Sequence, residues 1–208
     1  MGKFVVFEGP EGGGKTLQAG LLADTLRIAG LDVVQTREPG GTRVGDKIRS
    51  VLLELGDYTI LPETEVLLLA AARAQHVREV IHPALERGAW VICDRFVDST
   101  YAYQVGGSGL DLGPIRTIQA FATNGLEPDI RILLDVPVAT GLQRRYADAE
   151  SVNRIDLADI TYHQRVRDQY LALAAGNPRG WVVIDAQGSA DSVQTIVWRQ
   201  VRESLAIA

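Results

Sequence analysis

Phe4-Val5-Val6-Phe7-Glu8-Gly9-Pro10-Glu11-Gly12-Gly13-Gly14-Lys15-Thr16 passes from a short apolar run through a glycine-rich turn into residues of helical period. Its second part, Gly9 to Thr16, fits G-x-x-x-x-G-K-[ST], with the predicted strand before it and the predicted helix after it that the motif requires. The motif describes a phosphate cradle. Gly9, Pro10, Glu11, Gly12, Gly13 and Gly14 form a loop whose backbone N–H groups turn inward, and the helix amino terminus adds a favourable dipole. Lys15 reaches the outer phosphate oxygens and the Thr16 hydroxyl can ligate Mg²⁺.

Outward from this stretch, short β-branched or apolar runs alternate with longer helical segments, the pattern of a parallel sheet wrapped by crossover helices. The predicted strands are Phe4 to Glu8, Val33 to Thr36, Trp90 to Asp94, Ile130 to Asp135 and Trp181 to Asp185, and all five read as buried on both faces. Helices are predicted over Lys15 to Ala29 and Val44 to Leu55, closed by Gly30 and Gly56, which accept the positive φ found just past a helix end. Others are expected over Pro62 to Arg87 with a kink at Pro83, and over Leu112 to Thr123, Pro137 to Arg145, Asp159 to Ala175 and Ser189 to Leu205. The fold class is α/β, a five-stranded parallel sheet flanked by helices. No repeat, linker or low-complexity tract divides residues 1–208, so one domain is expected. Gly106 to Asp111 and Tyr146 to Asn153 lack a period and are candidates for binding loops or lids.

Composition narrows the partners. The chain is 46% hydrophobic and 23% charged, enough apolar mass for one core, and its net charge of −5 argues against a protein that tracks a nucleic-acid backbone. Lys3, Lys15 and Lys47 are the only lysines among 21 basic residues. The dominance of bidentate arginine suits phosphate clamps, and equally a compositional bias. Cys93 alone excludes an intramolecular disulfide, and His76, His82 and His163 lack the spacing of a structural zinc site. The longest near-continuous apolar run, Val66 to Ala72, is far below the roughly 18 residues that cross a bilayer. The amino terminus lacks a basic-then-apolar leader pattern. No membrane association and a cytoplasmic location are expected.

Phosphate loops also serve motors, switches and transporters, so a second site must decide between functions. The Asn-Lys-x-Asp motif of a GTPase switch is absent. Asp94 ends the third predicted strand, where a carboxylate can hold Mg²⁺ or its waters, and Arg95 follows where it can clamp a phosphate. Read alone, the two could be a surface ion pair.

Three further motifs, in order, resemble the thymidylate kinase family over nearly the whole chain: Thr36-Arg37-Glu38-Pro39-Gly40-Gly41-Thr42; Asp94-Arg95-Phe96 followed by Ser99-Thr100 and Ala102-Tyr103-Gln104; and Asn153-Arg154-Ile155-Asp156. The resemblance implies a kinase using ATP and Mg²⁺, with Thr16 and Asp94 at the metal, to convert dTMP to dTDP. It implies Arg49 and Arg95 on the acceptor 5′-phosphate, Arg73 on the thymine carbonyl and Thr100 on the base's polar edge. Tyr103 and Gln104 would line deoxyribose and base, with Glu11 and Glu38 organising sugar, phosphate and metal and Pro39 in a cis bond that presents Glu38. Leu69 stands where the family typically has phenylalanine, keeping an apolar wall without the ring face. Leu17 replaces a frequent second hydroxyl residue.

Some family members carry an arginine at the position of Gly12 and others supply one from the lid. With no basic residue between Gly9 and Gly14, the lid (about 144–154) must act, and Arg145 and Arg154 are the chosen donors beside Arg95, Lys15 and Glu11. Arg144 is the alternative, or a solvated helix residue, and Asp148 and Glu150 are possible partners of these arginines. The apolar Val66 to Ala72 helix and the family's habit imply a homodimer. A kinase for another nucleoside monophosphate or a deoxynucleoside, and a non-catalytic ATP-binding subunit, stay open on sequence grounds.

Overall fold

The computed structural model describes residues 2–147 and 152–206. Among these, the parallel strands β1 (Phe4–Glu8), β2 (Val33–Arg37), β3 (Trp90–Asp94), β4 (Ile130–Asp135) and β5 (Trp181–Asp185) form a sheet in the order β2-β3-β1-β4-β5. Successive side chains of β1 point to opposite faces and so divide the core. Val5 and Phe7 pack with Leu22 and Leu26 of α1 (Lys15–Ile28) and Val193 and Val197 of α9 (Ala190–Leu205). Phe4 and Val6 meet Ile81, Phe96 and Ala84 of α4 (His82–Glu86) on the other face.

The expectation of burial on both faces holds for β1, β3 and β4 apart from the half-buried ends of β3 and β4. It fails for β2 and β5, where Val183 is 50% exposed. These are the edges of the sheet, where the helical layers thin out, and a run's apolarity does not report its place in the sheet order.

Between strands lie α2 (Arg43–Leu53) and α3 (Pro62–His76), then α5 (Val97–Thr100), α6 (Leu112–Thr123), α7 (Val138–Tyr146) and α8 (Ile160–Gly176). Thr42 caps α2 by accepting from the Gly45 N–H at 2.9 Å. The helix predicted over Pro62 to Arg87 instead passes from α3 through a wider π-helical turn at Val77–Ile81 into α4. Pro83 has no N–H for the preceding turn, and the π turn lies just upstream, where the ladder must adjust. The predicted loop at Gly106 to Asp111 also shortens, because α5 continues through a second π turn, Tyr101–Gly107. Gly106 and Gly107 serve close packing there: added Cβ atoms would stand 2.5 Å from Gln169 and 2.6 Å from Tyr162 of α8.

The chain winds from β1 toward β2 and β3, and later returns to the opposite side of β1 for β4 and β5. The order therefore reverses at β1, whose carboxyl end lies between those of β3 and β4, and open α/β sheets bind ligands at such a point. No described helix is long and apolar enough to cross a membrane.

Candidate active site

Beyond those strand ends lies a cleft of about 940 Å³. Glu11, Gly12, Gly13, Gly14, Lys15 and Thr16 line one end. Glu38, Pro39, Arg49, Leu69, Arg73, Asp94, Arg95, Thr100, Tyr103 and Gln104 line the rest, and Arg145 borders it. Gly9, Pro10 and Arg154 are not among its walls.

The loop after β1 rests directly on α7. A Cβ on Gly12, whose φ is 69°, would stand 2.0 Å from the Gly141 carbonyl oxygen, and one on Gly141 would stand 2.2 Å from that of Glu11. This contact leaves no room for a basic side chain at position 12. The buried Lys15 ammonium donates to the Pro10 carbonyl at 2.7 Å, and burial and Arg95 draw its pKa down to about 8. Thr16 donates to Asp94 Oδ2 at 2.5 Å, which brings the two expected metal ligands together. A hydroxyl and a carboxylate beside a phosphate loop match the hard-oxygen preference of Mg²⁺.

At the other end, Arg73 is 2% exposed and heavily restrained. Its Nε donates to Glu38 at 2.7 Å, Nη1 to Thr100 at 3.1 Å and to Gln119, and Nη2 to the Phe96 carbonyl at 2.9 Å. Four of its five N–H groups are thus engaged. His76 holds the second Glu38 oxygen at 2.9 Å and Thr36 at 2.6 Å. Burial opposes the Glu38 charge, yet Arg73 and His76 hold its pKa below the usual carboxylate range. The Glu38–Pro39 bond is cis, as expected, and Arg49 donates to the Pro39 carbonyl at 3.0 Å. Burial, Arg37 and Arg95 disfavour the Arg49 charge, so cations crowd this region. Such crowding favours an incoming anion.

Arg95 stands between the two ends with φ 71°, a left-handed backbone that costs a non-glycine residue about 1 kcal/mol or more. Its N–H donates to the Phe7 carbonyl at 2.9 Å. Its guanidinium reaches Glu11 at 2.6 Å, the Tyr103 hydroxyl at 2.9 Å, Tyr170 at 3.0 Å, Gly9 O at 3.1 Å and Ser99 at 3.2 Å. Burial works against the charge of Glu11, but Arg95 and Lys15 hold its carboxyl at about 2.

The expected lid donors are both held by carboxylates, Arg145 at the border of the cleft and Arg154 outside its walls. Arg145 pairs with Asp156 at 2.9 Å, and Arg154 with Glu65 at 2.7 Å and the Leu52 carbonyl at 3.3 Å. Arg144, exposed on α7, donates to the carbonyls of Ala186 at 2.8 Å and Gln187 at 3.0 Å. Asp148 and Glu150 lie outside the described residues.

The thymidylate kinase family model matches residues 7–197. A thymidylate kinase of Thermomicrobium roseum is 51% identical over 203 residues, 98% of this chain and 96% of that protein. One from Roseiflexus sp. (strain RS-1) is 48% identical, covering 93% of this chain and 90% of the relative. The crystal structure of thymidylate kinase from Ehrlichia chaffeensis superposes with a TM-score of 0.79 at 33% identity, over 96% of this chain and 98% of the other.

The chain belongs to the thymidylate kinase family.

Within this thymidylate kinase fold, sequence reasoning overlooked Glu8, Gln119 and Tyr170, and it noted Ser99 only as part of a motif and His76 only for its spacing. Glu8 carried a readable signal, an acidic residue ending an otherwise apolar strand. Gln119 and Tyr170 carried none, since Tyr170 meets Glu8 across 162 residues and only the tertiary fold joins them.

Proposed function

We propose that this chain transfers the γ-phosphoryl group of ATP to dTMP, giving ADP and dTDP. The observation that carries this is the opposition, in one cleft, of the Lys15 phosphate loop and the restrained Arg73, with Arg95 between them. In this reading Lys15 meets the donor phosphates, and Arg95 and Arg49 hold the acceptor 5′-phosphate. Arg73 gives its remaining N–H to a base carbonyl, with Leu69 as the apolar wall and Thr100 at the base's polar edge. Tyr103 crowds the sugar's 2′ position beside Gln104, and Glu11 and Glu38 orient sugar and phosphate. Phosphoryl transfer asks chiefly for positioning and charge stabilisation, which fixed arginines supply.

Mg²⁺ would be held by Thr16 and Asp94, and when bound it neutralises charge on the donor phosphates. Arg145 and Arg154 would exchange Asp156 and Glu65 for the transferred group when the lid closes, excluding water. The reading also includes one domain, a cytoplasmic location and a homodimer through α3. Leu67 is 58% exposed on α3, and Phe121 of the packed neighbour α6 is 80% exposed, two large apolar side chains that a second copy would cover.

The test is ADP formation from ATP with and without dTMP. Release that depends on dTMP supports the kinase; ATP binding with no dTMP-stimulated ADP identifies a non-catalytic ATP-binding subunit instead.

A further inference from the structure

Side-chain alternation along β1 turns Glu8 to the same face as Phe4 and Val6, and there it meets α5 and α8 instead of solvent. It is fully buried. Its Oε1 accepts from the backbone N–H groups of Phe96 at 2.9 Å and Ser99 at 3.2 Å, at the start of α5. Its Oε2 accepts from the Ser99 hydroxyl at 2.6 Å and the Tyr170 hydroxyl at 2.9 Å. Those two hydroxyls lie 2.7 Å apart, and both accept from Arg95 Nη1, at 3.2 and 3.0 Å respectively.

The directions of these bonds follow from counting protons. Arg95 can only donate, so both hydroxyls must turn lone pairs toward it. Each hydroxyl has one proton. Whether both protons go to Glu8, or Tyr170 donates to Ser99 and Ser99 to Glu8, every proton runs away from Arg95 and toward the carboxylate. An ionised carboxylate, which only accepts, enforces that order. An amide of the same shape would not, because its NH₂ group donates and would turn the hydroxyl protons back toward the guanidinium.

We propose that Glu8 is a positioning residue for the phosphoryl transfer: its carboxylate orders the Ser99 and Tyr170 hydroxyls so that both accept from Arg95 and hold its guanidinium toward the acceptor phosphate. This rests on the role proposed above for Arg95. Burial, and then the Asp98 carboxylate, push the Glu8 pKa up to about 7, so the ordered arrangement belongs to neutral and alkaline solution. Glu8 touches no substrate; it acts through the hydroxyls.

The experiment compares kcat/KM for dTMP in the native chain, Glu8→Gln, Arg95→Ala and the double variant, at pH 8. The amide retains an oxygen for the Phe96 and Ser99 N–H groups, so the fold is expected to persist, checked by thermal unfolding. Misdirecting hydrogen bonds to a charged group is expected to lower kcat/KM about tenfold in the native background. In the Arg95→Ala background the same change should cost less than about twofold, the non-additivity of residues acting through one group. Tyr170→Phe, which removes one hydroxyl and leaves Glu8, should give the same background dependence at about three- to fivefold. That variant carries the test if Glu8→Gln fails to fold. If Arg95→Ala is damaging while the Glu8 and Tyr170 variants are silent, or equally damaging in both backgrounds, the positioning role is overturned and that of Arg95 stands. If Arg95→Ala itself leaves dTMP turnover unchanged, both fall.

Discussion

Burial and Arg95 lower the Lys15 pKa to about 8, while Glu11, Asp94 and Glu8 pull it the other way. A lowered amine loses its charge early: the ammonium proposed to meet the donor phosphates is lost as pH rises through about 8. In the free enzyme, kcat/KM for ATP is therefore expected to fall as pH rises through about 8, which an initial-rate pH profile checks. Lys15→Ala should lower kcat by about 10² or more with dTMP affinity preserved, measured by equilibrium titration. Near-normal turnover would remove the phosphate loop from the chemistry. At this scale the sequence was informative where a motif fixes a residue's place, as at Lys15, Asp94 and Arg95, all of which line the cleft. It was silent where function comes from a partner brought by folding, as with Gln119 on Arg73 or Tyr170 on Arg95.

Elements add constraints that no single side chain carries. The loop after β1 and α7 touch backbone to backbone at Gly12 and Gly141. Gly141→Ala would drive a methyl group to 2.2 Å from the Glu11 carbonyl oxygen, forcing the loop and helix apart. A loss of about 1–3 kcal/mol of stability, from overpacking, is expected in denaturant titrations, with weakened ATP binding beside it. The same contact leaves no room for an arginine within the loop, and the proposed function draws one from the lid instead. Arg154→Ala should lower kcat at least about a hundredfold and change KM for dTMP only a few-fold, the kinetic pattern of a transition-state contact. A raised KM alone would make Arg154 a ground-state binder. Most elements were legible because hydrophobic period and terminal glycines mark them. The π turns at Val77–Ile81 and Tyr101–Gly107 were not, because the extra residue per turn is absorbed by neighbours such as α8 rather than written as a local signal.

For the molecule as a whole, periodicity predicted a parallel five-stranded sheet, yet the order β2-β3-β1-β4-β5 and the exposed outer strands depend on which strand lies beside which. The first two family motifs meet in the cleft, where Glu38 and Arg95 are joined by Arg73 of α3. Exposed Leu67 and Phe121 lead to a quaternary expectation: sedimentation at micromolar concentration should give a dimer, and Leu67→Glu should shift it toward monomer. The most direct test of the proposed function is a competition. ATP and Mg²⁺ are supplied with equimolar dTMP, dUMP, dCMP and thymidine, and the products are resolved by chromatography. The expected result is dTDP as the predominant phosphorylated product, formed together with an equal amount of ADP. Preferential conversion of dCMP, dUMP or thymidine, or ADP formed without any phosphorylated acceptor, would contradict a dTMP kinase.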